Sequence, residues 1–264
     1  MLSFKALKNK DTTLFILLFY LFSWSASLHA QASSTHSVSI GTGRTFLVNR
    51  DALFSPSTYI GQAPSFAIAY AHERQKYQHV LSITYHNAQL ERESTSNPVN
   101  IRGMQRRFFS TYYLFAGRRK NNARLHFAPG IGFMTVYRDR QQIYESAHNQ
   151  RFENFKASFA GAFQVGYQLA KHLRLNISIS ASLFTWSLHP DYSARSGMVQ
   201  AFSSNKRYFI HHGQYELIAS PVSDRIDLRL AFHLSYFKST HFYRADYLSQ
   251  SLLLQCDYKL KIVR

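Results

Sequence analysis

A single cysteine, Cys256, leaves no partner for an internal disulfide, so the fold is held without covalent cross-links. No cysteine follows the apolar run near the N-terminus, and a lipoprotein anchor has no attachment point there. Past that run, no continuous apolar stretch approaches the ~20 residues of a transmembrane helix. Acidic residues are scarce as well: 14 Asp and Glu stand against 31 Lys and Arg, for a formal charge of +17. Histidines number 13, but His211 and His212 are neighbours, face opposite ways on a strand and cannot share a metal ion. No metal and no other cofactor is expected.

What is present begins with an export-like N-terminus. Lys5, Lys8 and Lys10 precede an apolar run at 13–24, and small residues at 25–32 offer cleavage after Ala30 or Ala32. Residues 1–32 therefore read as a signal peptide and 33–264 as one domain. Its removal takes away three Lys and one Asp, leaving 28 basic and 13 acidic residues. In an exported protein that surplus calls for an anionic neighbour. Lipopolysaccharide phosphates fit, whereas nucleic acid is not met in that compartment. The 22 Phe and 17 Tyr suit aromatic belts at two membrane interfaces.

The clearest pattern lies at 173–183. Leu173, Leu175, Ile177, Ile179, Ala181 and Leu183 alternate with Arg174, Asn176, Ser178, Ser180 and Ser182. Successive strand residues point to opposite faces, so one face is apolar and the other polar. About ten residues of this kind cross a bilayer as a tilted strand. The same alternation recurs at 226–236 and 155–169, and in weaker form at 38–48, 65–72, 77–88, 125–137, 208–219 and 252–262. The stretch 107–117 is a strand by composition, but aromatics on both faces leave its facing open. Pro129 inside 125–137 removes a ladder hydrogen bond and is expected to mark a bulge.

Ten strands result. Long connections follow the odd strands (49–64, 91–103, 138–153, 188–205, 238–247) and short turns the even ones. Short periplasmic turns and longer outside loops are the habit of outer-membrane barrels. The polar faces carry Ser, Ala and Gly small enough for a narrow lumen, and the apolar faces carry large side chains suited to lipid. The fold expected is all-β: an antiparallel up-and-down transmembrane β-barrel of about ten strands with an apolar, lipid-facing exterior.

This layout resembles the small outer-membrane β-barrel proteins of Gram-negative bacteria, over the whole of 33–264 and by pattern rather than by a motif. The Ala30-Gln31 junction is similar to signal cleavage sites of Bacteroidetes-type bacteria. Many such barrels end in an aromatic residue, from which Lys261–Arg264 departs. The resemblance implies residence in the bacterial outer membrane.

Several residues invite a functional role. His233 and Ser235 share a strand face, and His-x-Ser resembles lipid A deacylase barrels, in which a His activates a Ser nucleophile. Here both are expected to face inward without an acidic partner, and a lumen hydrogen-bond network is the plainer account. Ten strands also resemble the omptin surface proteases, with His189-Pro-Asp191 and the His241 and Asp246 region as thin matches lacking an Asp pair. Asp227, Arg229, Asp257, Lys259 and Lys261 fall near the periplasmic end of the last hairpin. Buried charges must be paired, so ion pairs are expected to plug that end. Arg102, Arg106, Arg107, Arg138, Arg140, Lys206 and Arg207 fall in or beside outside loops. A lipopolysaccharide-binding rim is expected of them, with a merely solvated rim as the alternative.

Ten strands leave little more interior than eight, whose lumen side chains just fill. The function expected is therefore structural or accessory, as a subunit of a larger outer-membrane assembly with a largely filled lumen. The alternatives are an outer-membrane enzyme acting on lipid A or peptides at the outer rim, and a narrow channel.

Overall fold

The computed structural model describes residues 34–51, 55–74, 76–92, 102–116, 124–143, 150–190, 198–204, 208–223, 225–240 and 245–262. The proposed signal peptide lies outside these residues. Eleven strands form one antiparallel sheet: β1 (Ser34–Asp51), β2 (Ser55–Glu73), β3 (Tyr77–Arg92), β4 (Arg102–Ala116), β5 (Leu125–Ile143), β6 (Gln150–Ala170), β7 (Leu173–Pro190), β8 (Met198–Ser204), β9 (Tyr208–Ser223), β10 (Ile226–Ser239) and β11 (Ala245–Ile262). Consecutive strands pair, except that β8 and β9 both pair with β7, and β1 pairs with β11, which closes the barrel. The short β8 pairs with the outer part of β7 and β9 with the inner part, so β8 and β9 together fill one place in a ten-stranded wall.

The pairing fixes the tilt. Followed from His36 to each successive partner (His72, His79, Leu114, and so on through His211, Tyr236 and Leu248), the ladder returns to β1 at Val48. A shift of about twelve residues at ~3.3 Å each, over ten steps of ~4.8 Å, sets a strand tilt of ~40°.

The exterior is greasy and the interior polar. Ile40, Ile68, Phe127, Ile131, Leu228, Leu230 and Leu254 are exposed outward, while Ser39, Ser82, Ser178, Ser180, Ser182 and Ser251 are buried inward. Outward aromatics border this band. Tyr85, Phe108 and Tyr137 make a row across three strands at 4.5 and 6.2 Å between ring centres, and Phe155 meets Trp186 at 5.7 Å. Towards the periplasmic end, His36 stacks on His72 at 4.4 Å and bonds the Tyr70 hydroxyl at 2.7 Å, while His79 bonds Tyr112 at 2.6 Å. Amphipathic rings suit the boundary between hydrocarbon and water.

Two expectations need correction. The segments read as long outside loops are largely strand: the connection after β1 shrinks to 52–54, and 188–205 contains β8. Beyond the bilayer the outward face no longer meets lipid, so the ladder persists where alternation fades. With 21 residues, β6 stands roughly 50 Å tall at this tilt, about twice the ~25 Å apolar band. Pro129 marks no bulge; its register with Phe163 is regular, and it lies just past the end of the β4 pairing at Gly130. The bulge falls instead at Leu183: Phe159 pairs with Phe184 and Ala160 with Ser182. One extra residue swaps the faces of β7, so Ser182, Thr185 and Ser187 all point inward. In 107–117 the odd residues Arg107, Phe109, Thr111, Tyr113 and Phe115 face the lumen.

Candidate functional site

The lumen is the candidate site, and it is built in three layers. The periplasmic layer surrounds a cavity of about 380 Å³. Its charged wall comes from alternate residues of β9, β10 and β11. Arg229 lies diagonally between Glu216 and Asp257, a placement that brings long side chains into reach across a sheet. Its Nη1 donates to Glu216 Oε1 at 2.6 Å, and its Nε donates to Asp257 Oδ2 at 3.1 Å. Asn176 donates to the other Glu216 oxygen at 2.9 Å, and the Ser39 hydroxyl donates to Asp257. Asp227 and Asp257 stand directly opposite, a repulsive pairing relieved because each carboxylate has its own cation. For Asp227 that cation is Lys259, at 2.5 Å, with Ser220 donating to the second oxygen at 2.5 Å.

Four of the five charges expected in this network are thus brought together, at the expected end. The side chain of Lys261 lies outside the described residues. Glu216 was missed, although it alternates with Gln214 and His212 on β9 and so occupies the same face. The opposite wall of the cavity includes Val80, Tyr113 and Phe115 among polar neighbours such as Gln78 and Gln164.

The middle layer is a belt of hydroxyls paired across strands. Thr45 bonds Ser65 and, at 2.7 Å, Ser251. Ser82 bonds Thr111 at 2.7 Å, and Ser158 bonds Thr185 at 2.8 Å. His233 and Ser235 do share an inward face, but the partner of Ser235 is His212, whose Nδ1 is 2.9 Å from its hydroxyl. The registry explains this: Ser235 lies directly opposite His212. His212 Nε2 and His233 Nε2 are buried without a hydrogen-bond partner. His211 points outward and His212 inward, and among the described residues no group of His, Cys, Asp and Glu is placed to hold a metal ion.

The upper layer sets cations on aromatic rings. Lys156 Nζ lies 3.2 Å from the Phe237 ring centre and 5.4 Å from that of Tyr208. Arg107 lies over Tyr247 at 4.6 Å and Phe109 at 5.0 Å, and Arg140 over Tyr59 at 4.7 Å. Arg138 approaches Tyr247 at 6.0 Å and, with the amide turned to accept, donates twice to Asn154, at 3.0 and 3.1 Å. A cation held over a ring face with little water is attracted by the ring quadrupole. Leu47, Leu90, Met134 and Ile210 fill the remaining space as one apolar cluster.

This layer corrects the expected lipopolysaccharide rim. Arg107, Arg138 and Arg140 are buried in the lumen at 3 %, 6 % and 1 % exposure. Arg138 and Arg140 fall in the segment expected as a loop, and Arg107 begins a strand whose facing the sequence leaves open, whereas all three sit in strands whose two-residue period turns them inward. Arg106 faces outward and is exposed. The Arg102 side chain lies outside the described residues, as do Lys206 and Arg207. Of the thin protease matches, Asp191, His241 and the His189 side chain also lie outside them. Asp246 faces outward and accepts from the Tyr236 hydroxyl at 3.5 Å.

No family model and no curated relative matches this sequence. Solved structures do. The outer membrane protease OmpT from Escherichia coli is 9 % identical, with 86 % of this chain and 97 % of that one covered and a TM-score of 0.52. The transport unit of the autotransporter AIDA-I from Escherichia coli gives 9 %, 88 %, 92 % and 0.45, and the attachment invasion locus protein Ail of Yersinia pestis 11 %, 85 %, 98 % and 0.34. At this identity what is shared is the fold. With its apolar exterior, the chain is an antiparallel ten-stranded β-barrel of the Gram-negative outer-membrane kind, and the bacterial outer membrane is where it resides.

Proposed function

We propose that this chain serves as a structural or accessory barrel, a subunit of a larger outer-membrane assembly that works through its outer surface and not as a wide pore. The observation that carries the reading is the upper lumen, where Arg107, Arg140, Lys156, Tyr59, Tyr208, Tyr247 and Phe237 are all buried against one another. The lipid partner proposed is lipopolysaccharide. Arg106 keeps that role, joined by Arg44 and Lys238, which are exposed on the outward face. Arg44 pairs in register with Leu252 and Pro64, and one outward step above it Phe46 pairs with Gln250 and Gln62, where polar residues enter the outward face and a lipid phosphate can meet a guanidinium.

Purification from native membranes in mild detergent tests the assembly, and recovery of a stoichiometric protein partner is expected. Isolation of the chain alone, with unit currents in a planar bilayer, would replace this reading with a second one, a narrow channel. The periplasmic cavity favours that second reading, because it is already an aqueous entrance. An enzyme acting on lipid A would require Ser235, so a lipid A mass spectrum unchanged by Ser235→Ala is expected.

A further inference from the structure

Between the middle and upper layers lies a void of about 10 Å³, bounded by Arg107, His212, His233, Ser235, Ser249 and Ser251, among others. Three of the residues that bound it carry a buried polar atom without a hydrogen-bond partner: Arg107 Nε, His212 Nε2 and His233 Nε2. Their residues are 3 %, 3 % and 6 % exposed. A buried guanidinium is costly to leave without an anion. Arg107 donates to the neutral Tyr247 hydroxyl at 3.2 Å and rests on two aromatic rings, and among the described residues it meets no carboxylate. The acidic network around Arg229 lies one layer below.

The donors converge in one sense. When the Ser235 hydroxyl donates to His212 Nδ1, the ring proton sits on Nε2, the atom without a partner. The hydroxyls of Ser249 and Ser251 can rotate to donate as well. Among the described residues no carboxylate bounds the void. A space of about this size admits a single water or a monatomic ion and nothing larger. We infer that the void is a binding site for a small monovalent anion of the halide class. The anion is held by Arg107 and the two histidines and neutralises the guanidinium inside the barrel.

Bromide is the probe. The purified full chain, in detergent and halide-free gluconate buffer, is heated while bromide replaces gluconate at constant ionic strength. The wild type is expected to gain melting temperature in a saturable way, as binding to the folded state requires. Arg107→Met, which keeps most of the volume and removes the charge, is expected to show no gain. A flat wild-type response, or an equal gain in the variant, overturns the site. Should Arg107→Met fail to fold, Ser249→Val fills the void, keeps the charge and is expected to abolish the gain. Crystals grown in bromide give an independent reading. An anomalous peak at hydrogen-bond distance from Arg107 Nε is expected, and a water there without anomalous signal overturns the proposal.

Discussion

Replacing Arg229 by methionine removes the cation that Glu216 and Asp257 share and leaves two carboxylates on one wall of the cavity without it. Breaking a fully buried ion pair by deleting one partner costs about 3–5 kcal/mol, because the surviving charge is left uncompensated. The carboxylates are 6 % and 2 % exposed, but the Arg229 side chain is 19 % exposed beside a cavity of about 380 Å³. Water can therefore reach the wounded network, and the expected loss falls to about 2–3 kcal/mol. Asn176 and Ser39 retain their hydrogen bonds to the carboxylates and keep the loss from growing. Equilibrium urea unfolding in lipid or detergent measures it, with the fluorescence of the outward Trp186 as signal. The triple variant Arg229→Met/Glu216→Gln/Asp257→Asn removes every charge of the trio and is expected to return to within about 1 kcal/mol of wild type. A loss below about 1 kcal/mol for Arg229→Met, or a triple variant no better than the single one, would refute the claim that this network is a coupled electrostatic unit.

Three further changes probe the wall. Leu254, 62 % exposed on the outward face, is expected to lose about 2–4 kcal/mol in a bilayer when changed to Arg. Gln250→Arg, two turns of the pleat higher, is expected to lose no more than about 1 kcal/mol. Urea titration in lipid vesicles distinguishes the two, and equal losses would misplace the bilayer boundary. At Gly132 an added Cβ would fall 2.0 Å from the Tyr112 carbonyl oxygen and 2.5 Å from Tyr113 Cδ1. Gly132→Val is therefore expected to cost about 1–3 kcal/mol by overpacking, read in the same titration.

The sequence was most legible where one face met lipid and the other met small polar groups. At 173–183 and 226–236 every residue faces as its alternation requires. Legibility failed for three physical reasons. Outside the bilayer the exterior is no longer under selection for grease, so the overhanging ends of β5 and β6 read as loop and their inward arginines as rim. Aromatics serve in the lumen as well as towards lipid: Tyr113 and Phe115 lie opposite Gly132 and Gly130, and that cross-strand match of large to small was the missing cue for the facing of 107–117. A bulge has no compositional mark, so the reversal at Leu183 was invisible. The ion-pair layer was legible because Asp227 and Arg229, and Asp257 and Lys259, each alternate with apolar residues at a period of two on neighbouring strands. The Ser235–His212 contact was not, because it depends on register between strands and not on spacing within one.

The central claim is the inversion of this barrel, with apolar rows outward and polar rows inward, and collision accessibility tests it most directly. Spin labels placed one at a time at Ile68, Leu230 and Leu254, in a Cys256→Ser background and lipid vesicles, are expected to be relaxed by oxygen, which partitions into hydrocarbon, and shielded from a water-soluble nickel chelate. Labels at Thr111 and Ser178 are expected to be poorly reached by oxygen. Strong nickel accessibility at Leu230 and Leu254, with oxygen reaching the serine and threonine sites instead, would contradict the account.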